Sequence, residues 1–268
     1  MSPYAIFMDV DGTLVDHSQI PTQATKDAIA RFRAAGHHFF IASGRPLFSA
    51  REMANRIAPG LNLIGSNGSV TDLAGEVTHC HLSEAALTGI YDVATHFGIH
   101  ANLFTQDRVV TVGLSHKRLD QDGHNRVAGD HPELNVVVQS AAELRSFAGA
   151  ITNGICFDDD LTELAAVRAA LGAYTDLDLS SSSANNIEIT KHGVNKATAI
   201  QAVCQRLGIP MDRTMAFGDG NNDLQMLTTV NYGVAMGNAN DTVKAATKYH
   251  TLDIHHDGVA HFLTDFFG

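Results

Sequence analysis

Asp9-Val10-Asp11-Gly12-Thr13-Leu14 follows a short apolar run, Tyr4-Ala5-Ile6-Phe7-Met8. The run reads as a buried strand. Residues two apart on an extended chain point the same way. Asp9 and Asp11 are therefore expected to project together from the strand's C-terminal end, where open α/β sheets place their sites. Two carboxylates that close repel one another and are costly to bury unless a cation joins them. Gly218-Asp219-Gly220-Asn221-Asn222-Asp223, far along the chain, supplies more carboxylates. All-oxygen ligation suits Mg²⁺. The pair of motifs points to metal-dependent chemistry on phosphate.

Working outward, the chain alternates strand and helix. Pro21-Thr22 opens a helix with Ala24, Ala28, Ile29 and Phe32 on its buried face, and Gly36 stops it. His38 to Ala42 read as a strand ending at Ser43-Gly44-Arg45-Pro46. A helix over Phe48 to Ile57 and a strand over Leu61 to Gly65, ending at Ser66-Asn67-Gly68, follow. Strands alternating with helices predict a parallel sheet. The pattern changes from about residue 82. Helices at Ser83–Phe97, Ala141–Phe147 and Leu161–Leu171 are mixed with strands at His100–Thr105, Val109–Gly113, Ile151–Phe157 and Ala173–Leu179. The stretch Gly123 to Asn135, with Pro132, is the most loop-like. The first pattern resumes from Ile187, with a helix over Val194 to Leu207 and strands at Thr214–Phe217 and Asn231–Ala235. The expected class is α/β, a Rossmann-like doubly wound parallel-sheet core with an inserted α+β cap. The core is assigned to residues 1–81 and 186–268 and the insert to 82–185. The serine run at Ser180–Asn185 is taken as a linker.

Composition excludes several classes. The chain has 268 residues, 44% hydrophobic and 18% charged, so a packed core is expected. A formal charge of −11 argues against a nucleic-acid surface. An anionic substrate then needs a local positive site and a metal. Cys80, Cys156 and Cys204 form no Cys-x-x-Cys pair, and they read as thiols in a reducing compartment. No apolar run approaches a membrane span. A soluble cytoplasmic protein is expected, a monomer or small homo-oligomer with no membrane partner, whose partner is a small phosphorylated metabolite.

The chemistry assembles at the strand ends. Asp9, ionised at neutral pH, can attack phosphorus when a metal offsets the repulsion between anions. Asp11 beside it can be general acid for the leaving alcohol and then general base for water. Ser43 and the backbone N–H groups of Val10 and Gly44 can hold phosphoryl oxygens, with Gly12 and Thr13 in the same turn. Lys196 offers a positive charge, in a helix first turn that otherwise disfavours cations. Asp219 and Asp223 are candidate metal ligands, and Asn222 can donate to phosphate or hold its loop. Arg45 either touches substrate or pairs with a carboxylate. Asn67 is read as a turn residue with Gly68. Most of the 15 histidines, among them His79 and His81, are read as solvated or structural. Asp158-Asp159-Asp160 is read as a helix start.

Four motifs in order, Asp9 to Leu14, Ser43 in Ala42-Ser43-Gly44-Arg45, Lys196 in Gly193-Val194-Asn195-Lys196, and Gly218 to Asp223, resemble those of the haloacid dehalogenase-like superfamily. The chain is similar in particular to the Cof-type branch with a type IIB cap. Met236-Gly237-Asn238-Ala239 fits that branch as well, and Ala197 departs from its usual glycine. The resemblance implies Asp9 as nucleophile and Asp11 as acid/base. It implies Mg²⁺ on the Asp9 carboxylate, the Asp11 carbonyl and Asp219, with Asp223 helping through water. It implies phosphate contacts at Ser43, Lys196 and Asn222, and a cap that selects the leaving group. The expected function is Mg²⁺-dependent hydrolysis of small phosphomonoesters, sugar phosphates first, through an aspartyl-phosphate. A phosphosugar mutase and a non-catalytic phosphometabolite-binding protein are the alternatives.

Overall fold

The computed structural model describes residues 2–113 and 134–268. They divide into two units, Met1–Thr78 with Asn195–Gly268, and His79–Val194. The loop-like stretch expected from Gly123, Pro132 included, lies outside the described residues up to position 133.

In the first unit β1 (Ala5–Met8), α1 (Gln23–Ala34), β2 (His38–Ala42), α2 (Leu47–Ile57) and β3 (Asn62–Gly65) follow the expected alternation. β4 (Val70–Leu73) and β5 (Glu76–His79) then add an unexpected hairpin, β4 running antiparallel to β3. Its two-residue turn, Ala74-Gly75, has both φ angles positive. Ala-Gly is a weaker hairpin signal than Asn-Gly or Asp-Gly, which is why the sequence did not reveal it.

The second unit runs α3 (Glu84–Phe97), β6 (His100–Phe104), β7 (Val109–Val112), β8 (Asn135–Val138), α4 (Ala141–Arg145), β9 (Asn153–Phe157), α5 (Leu161–Leu171), β10 (Leu177–Ser180) and β11 (Asn186–Lys191). Its strand order is β10-β11-β9-β6-β7-β8, antiparallel except for the β7–β8 pair. Inward residues such as Leu87, Ile90, Leu103, Val110, Leu144, Val167 and Ile187 form a core of its own. Asp160 caps α5, its Oδ1 accepting from the N–H groups of Thr162 and Glu163, as the acidic run suggested.

Two expected boundaries move. The serine run is not a linker but the turn of the β10–β11 hairpin, with Ser180 opposite Glu188. Its hydroxyls have partners: Ser181 Oγ donates to the Asn186 carbonyl (2.6 Å), and Ser182 Oγ to Glu188 Oε1 (2.6 Å). β11 pairs with β9, so residues 186–194, expected with the core, belong to the inserted unit. Composition marked the serines as flexible, but side-chain hydrogen bonding to the local backbone decides their structure. At the first crossing the division falls at Thr78/His79 rather than after residue 81.

The chain then returns through α6 (Lys196–Leu207), β12 (Thr214–Gly218), α7 (Leu224–Thr229), β13 (Tyr232–Ala235), α8 (Asp241–Ala246), β14 (Tyr249–His250) and α9 (Gly258–Phe267). The core sheet has the order β14-β13-β12-β1-β2-β3-β4-β5, and β14 through β3 are parallel. α1 packs with α9, and α6 with α7. The four residues of β1 are all buried, as a central parallel strand requires. In register, Met8 lies opposite Phe217 on β12 and Ile41 on β2. The C-terminal ends of these three strands therefore come level.

His37, just before β2, is only 6% exposed. Its Nδ1 accepts the Tyr4 N–H at 3.1 Å, so that nitrogen must be unprotonated. Burial, then the charge of His38, hold its pKa below the usual histidine value. The unfolded chain therefore takes up this proton first as pH falls. Stability contributed by neutral His37 is present above about pH 6.5 and is lost on acidification. His37→Phe should cost about 1 kcal/mol at pH 7.5, the order of one hydrogen bond. The cost should shrink by pH 5.5 in denaturant titrations. A cost independent of pH would contradict this.

Candidate active site

Asp9 leaves β1 with its N–H donated to the Phe217 carbonyl on β12 at 3.0 Å. The chain turns at once. The Val10 carbonyl accepts from Thr13, Leu14 and Val15, and Gly12 adopts φ +89°. A Cβ at Gly12 would stand 2.2 Å from Asp219 Oδ2, so only glycine lets the two motifs meet. Thr13 Oγ1 donates to Asp219 Oδ1 at 3.1 Å. The first and last motifs are thus one site.

Lys196 completes it. Asn195 caps α6, accepting from Thr198 N while Thr198 Oγ1 accepts from Asn195 N. This capping box fixes the helix start. Gly68, at φ +100°, lies against it, where a Cβ would meet the Asn195 carbonyl at 2.3 Å. The Lys196 side chain is 1% exposed, and its Nζ donates to Asp9 Oδ1 at 2.6 Å and Asp223 Oδ1 at 2.7 Å. The other Asp223 oxygen accepts from the N–H groups of Asp219 and Gly220, each at 3.1 Å.

The charges explain one another. Burial, with Asp223 next, raises the Asp9 pKa, and Lys196 opposes the shift. Burial and then Asp223 push the Asp219 carboxyl up to about 6. Burial works against the Lys196 ammonium, but Asp223 and Asp9 outweigh it and raise its pKa. One ammonium does not neutralise three carboxylates. Asp9, Asp219 and Asp223 each offer an oxygen within 4.8 Å of the others. An all-carboxylate set in this spacing fits a hard divalent cation such as Mg²⁺.

Asp11 points elsewhere. Its side chain is 54% exposed, and Arg45, 21% exposed, grips it. Arg45 Nε donates to Oδ2 at 2.8 Å and Nη2 to Oδ1 at 2.5 Å. Burial raises the Asp11 pKa, but the Arg45 hydrogen bonds and charge outweigh it and leave it low. Of the two roles left open for Arg45, the structure shows pairing with a carboxylate. Ser43 is buried, its Oγ accepting from Arg45 N at 3.2 Å. Gly44 lies beside Asn67, which is buried in left-handed backbone. Asn222 sits on the turn after β12, its Oδ1 over Gly220.

Two residues escaped the sequence reading. Gln19 bonds both Asp11 and Arg45, and a lone glutamine between a serine and an isoleucine gives no signal. Asn238, noted only for its motif, donates from Nδ2 to the Gly12 carbonyl at 2.7 Å and accepts from Ile254 N at 3.0 Å.

The chain belongs to the haloacid dehalogenase-like hydrolase family, which it matches over residues 6–263. A Bacillus subtilis member, 5-amino-6-(5-phospho-D-ribitylamino)uracil phosphatase YcsE, is 32% identical over 95% of this chain and 92% of its own. HMP-PP phosphatase of Cronobacter sakazakii is 30% identical over 96% and 93%. A solved subclass IIB sugar phosphatase superposes with TM-score 0.80 at 25% identity, covering 98% of each chain. The resemblance carried by the four motifs is thereby borne out, as is the fold class.

Lys196→Met leaves buried carboxylates uncompensated. It should lower unfolding stability at pH 7 by about 3 kcal/mol, the order seen when one partner of a buried pair is removed. Mg²⁺ should recover part of the loss. A variant as stable as the parent without metal would contradict the electrostatic account.

Proposed function

We propose that this hydrolase is a Mg²⁺-dependent phosphomonoester phosphatase that works through an aspartyl-phosphate on Asp9. The observation that carries the reading is the Lys196 ammonium, buried and bonded to both Asp9 and Asp223. With Oδ1 held by Lys196, Asp9 Oδ2 is the attacking oxygen. It forms a bond to phosphorus as the bond to the leaving oxygen breaks. Asp11, once released from Arg45 and protonated, gives that proton to the departing alcohol, then takes one from the water that attacks phosphorus and frees Asp9. Ser43, Asn222 and the N–H groups of Val10 and Gly44, with the Gly12-Thr13 turn, hold the phosphoryl oxygens. A Mg²⁺ held by Asp9, Asp219 and the Asp11 carbonyl, with Asp223 helping through water, would offset the repulsion between carboxylate and phosphate.

The substrate is a small phosphorylated metabolite, with sugar and sugar-alcohol phosphates first. The names of relatives, a ribitylamino-uracil phosphate phosphatase and a sugar phosphatase, support this class. The inserted unit selects the leaving group in this reading. Among the described residues no helix is long and apolar enough to cross a membrane. The cysteines are free, two of them buried, which supports a reducing, cytoplasmic location.

With Mg²⁺, the protein should release inorganic phosphate from members of a sugar-phosphate panel. Asp9→Asn should lose roughly 10³-fold or more of the rate, as removal of a nucleophile does. EDTA should abolish turnover and Mg²⁺ restore it. Undiminished turnover by Asp9→Asn, or in metal-stripped protein, would overturn the mechanism. An isomerised phosphate in place of free phosphate would make the protein a mutase.

A further inference from the structure

The chain leaves β3 through an uncommon turn. Ser66 and Asn67 each have φ 52°, and Gly68 follows at φ 100°. Two successive left-handed residues other than glycine are rare, and each costs conformational free energy. The turn is buried, with Ser66 1% and Asn67 6% exposed. Strain of this kind persists where the surroundings over-determine it, and it gathers at ligand clamps.

Its contacts show what the turn holds. The Asn67 N–H donates to the Ser43 carbonyl at 3.1 Å, and the Ser66 N–H to the Arg45 carbonyl at 2.8 Å. A trans peptide is planar, so its C=O and N–H point in opposite directions. The Ser43 carbonyl and the Gly44 N–H belong to one such peptide. Asn67 therefore aims the Gly44 N–H away from itself. A donor on the carbonyl also polarises the peptide and strengthens its N–H. The Asn67 side-chain amide fills the space beside Gly44, where a Cβ would stand 3.1 Å from Oδ1 and 3.3 Å from Nδ2. It hinders that peptide from turning over. The same turn receives the start of α6, since a Cβ at Gly68 would meet the Asn195 carbonyl at 2.3 Å and Lys196 N at 3.1 Å. One turn thus joins the Ser43–Gly44 loop to the Lys196 helix.

We propose that Asn67 is a positioning residue for the transferred phosphoryl group: it fixes the Ser43–Gly44 peptide, so that the Gly44 N–H faces the phosphoryl oxygens in register with Lys196. The inference rests on the reading of Gly44 as a phosphoryl donor. Asparagine suits the place, since it tolerates left-handed backbone and has the amide that fills the space beside Gly44. A donor fixed before the reaction acts most where charge develops in the transition state. It acts on the phosphoryl group, not on the alcohol, so its effect is independent of the leaving group.

The test is Asn67→Gly, which suits the backbone, since glycine adopts positive φ freely, and removes the amide. Its kcat should fall about tenfold, a fraction of the loss of a whole oxyanion donor. Its kcat/KM should fall equally, the mark of an interaction made in the transition state. The factor should be the same for p-nitrophenyl phosphate and for the best sugar phosphate of the panel. Inhibition by orthovanadate, a mimic of five-coordinate phosphorus, should weaken by that factor too. Ser69→Ala, in the same turn, removes a buried hydroxyl that has no hydrogen-bond partner among the described residues, and should keep the parent's kcat. An unchanged kcat in Asn67→Gly, an equal loss in Ser69→Ala, a loss on one ester alone or a loss confined to KM overturns the inference. Asp9→Asn in parallel reports separately on the catalytic reading. Independently of turnover, a crystal structure of Asn67→Gly should show the Ser43–Gly44 peptide in more than one orientation. That peptide unchanged at full occupancy would show that Asn67 is dispensable.

Discussion

The rest of the site depends on one buried ion cluster, the Lys196 ammonium between Asp9 and Asp223. Burying ions costs several kcal/mol each, and only close geometry with further hydrogen bonds returns it. The fold supplies that geometry from three separate stretches. β1 delivers Asp9, the start of α6 delivers Lys196, and the turn after β12 delivers Asp219 and Asp223. Among the described residues no second ammonium pairs with Asp219, so the balance there stays negative. That imbalance suits a divalent cation, whose charge would in turn offset the repulsion toward a phosphate.

Much of this was legible in the sequence because the site lies where two kinds of signal coincide. A buried strand is an apolar run, and its end is marked by small and charged residues. Asp9, Asp11, Ser43, Lys196, Asp219 and Asp223 all follow or begin such elements. Their meeting depends on parallel register, which strand–helix alternation implies. What stayed hidden depends on side chains bonding to distant or local partners. The serines at 180–183 look like a linker by composition, yet they form a turn through Asn186 and Glu188. The β4–β5 hairpin turns on Ala74-Gly75, a weak signal. Gln19 has no neighbours in sequence that mark it, because its partners lie at Asp11 and Arg45.

The insertion divides the labour. Each unit has its own apolar core. Substitutions that tune the inserted unit can therefore leave the charged cluster of the first unit intact. Within the first unit, glycine makes the close approaches possible. Gly12 admits Asp219, and Gly68 admits the start of α6. Side chains there would separate the motifs with every carboxylate and Lys196 still in the sequence. Asn238 ties the Gly12 turn to the segment before α9, so that segment also bears on the placement of Asp9 and Asp11.

The proposed mechanism turns on a covalent bond between phosphorus and Asp9, and that bond can be trapped. Protein mixed with a turned-over phosphomonoester, quenched in acid within one turnover and digested, should yield a phosphoryl group on the peptide containing Asp9. The label should disappear on a longer incubation as water cleaves it. Burst release of the alcohol with no phosphorylated peptide, or a phosphoryl group on any residue other than Asp9, would contradict the account.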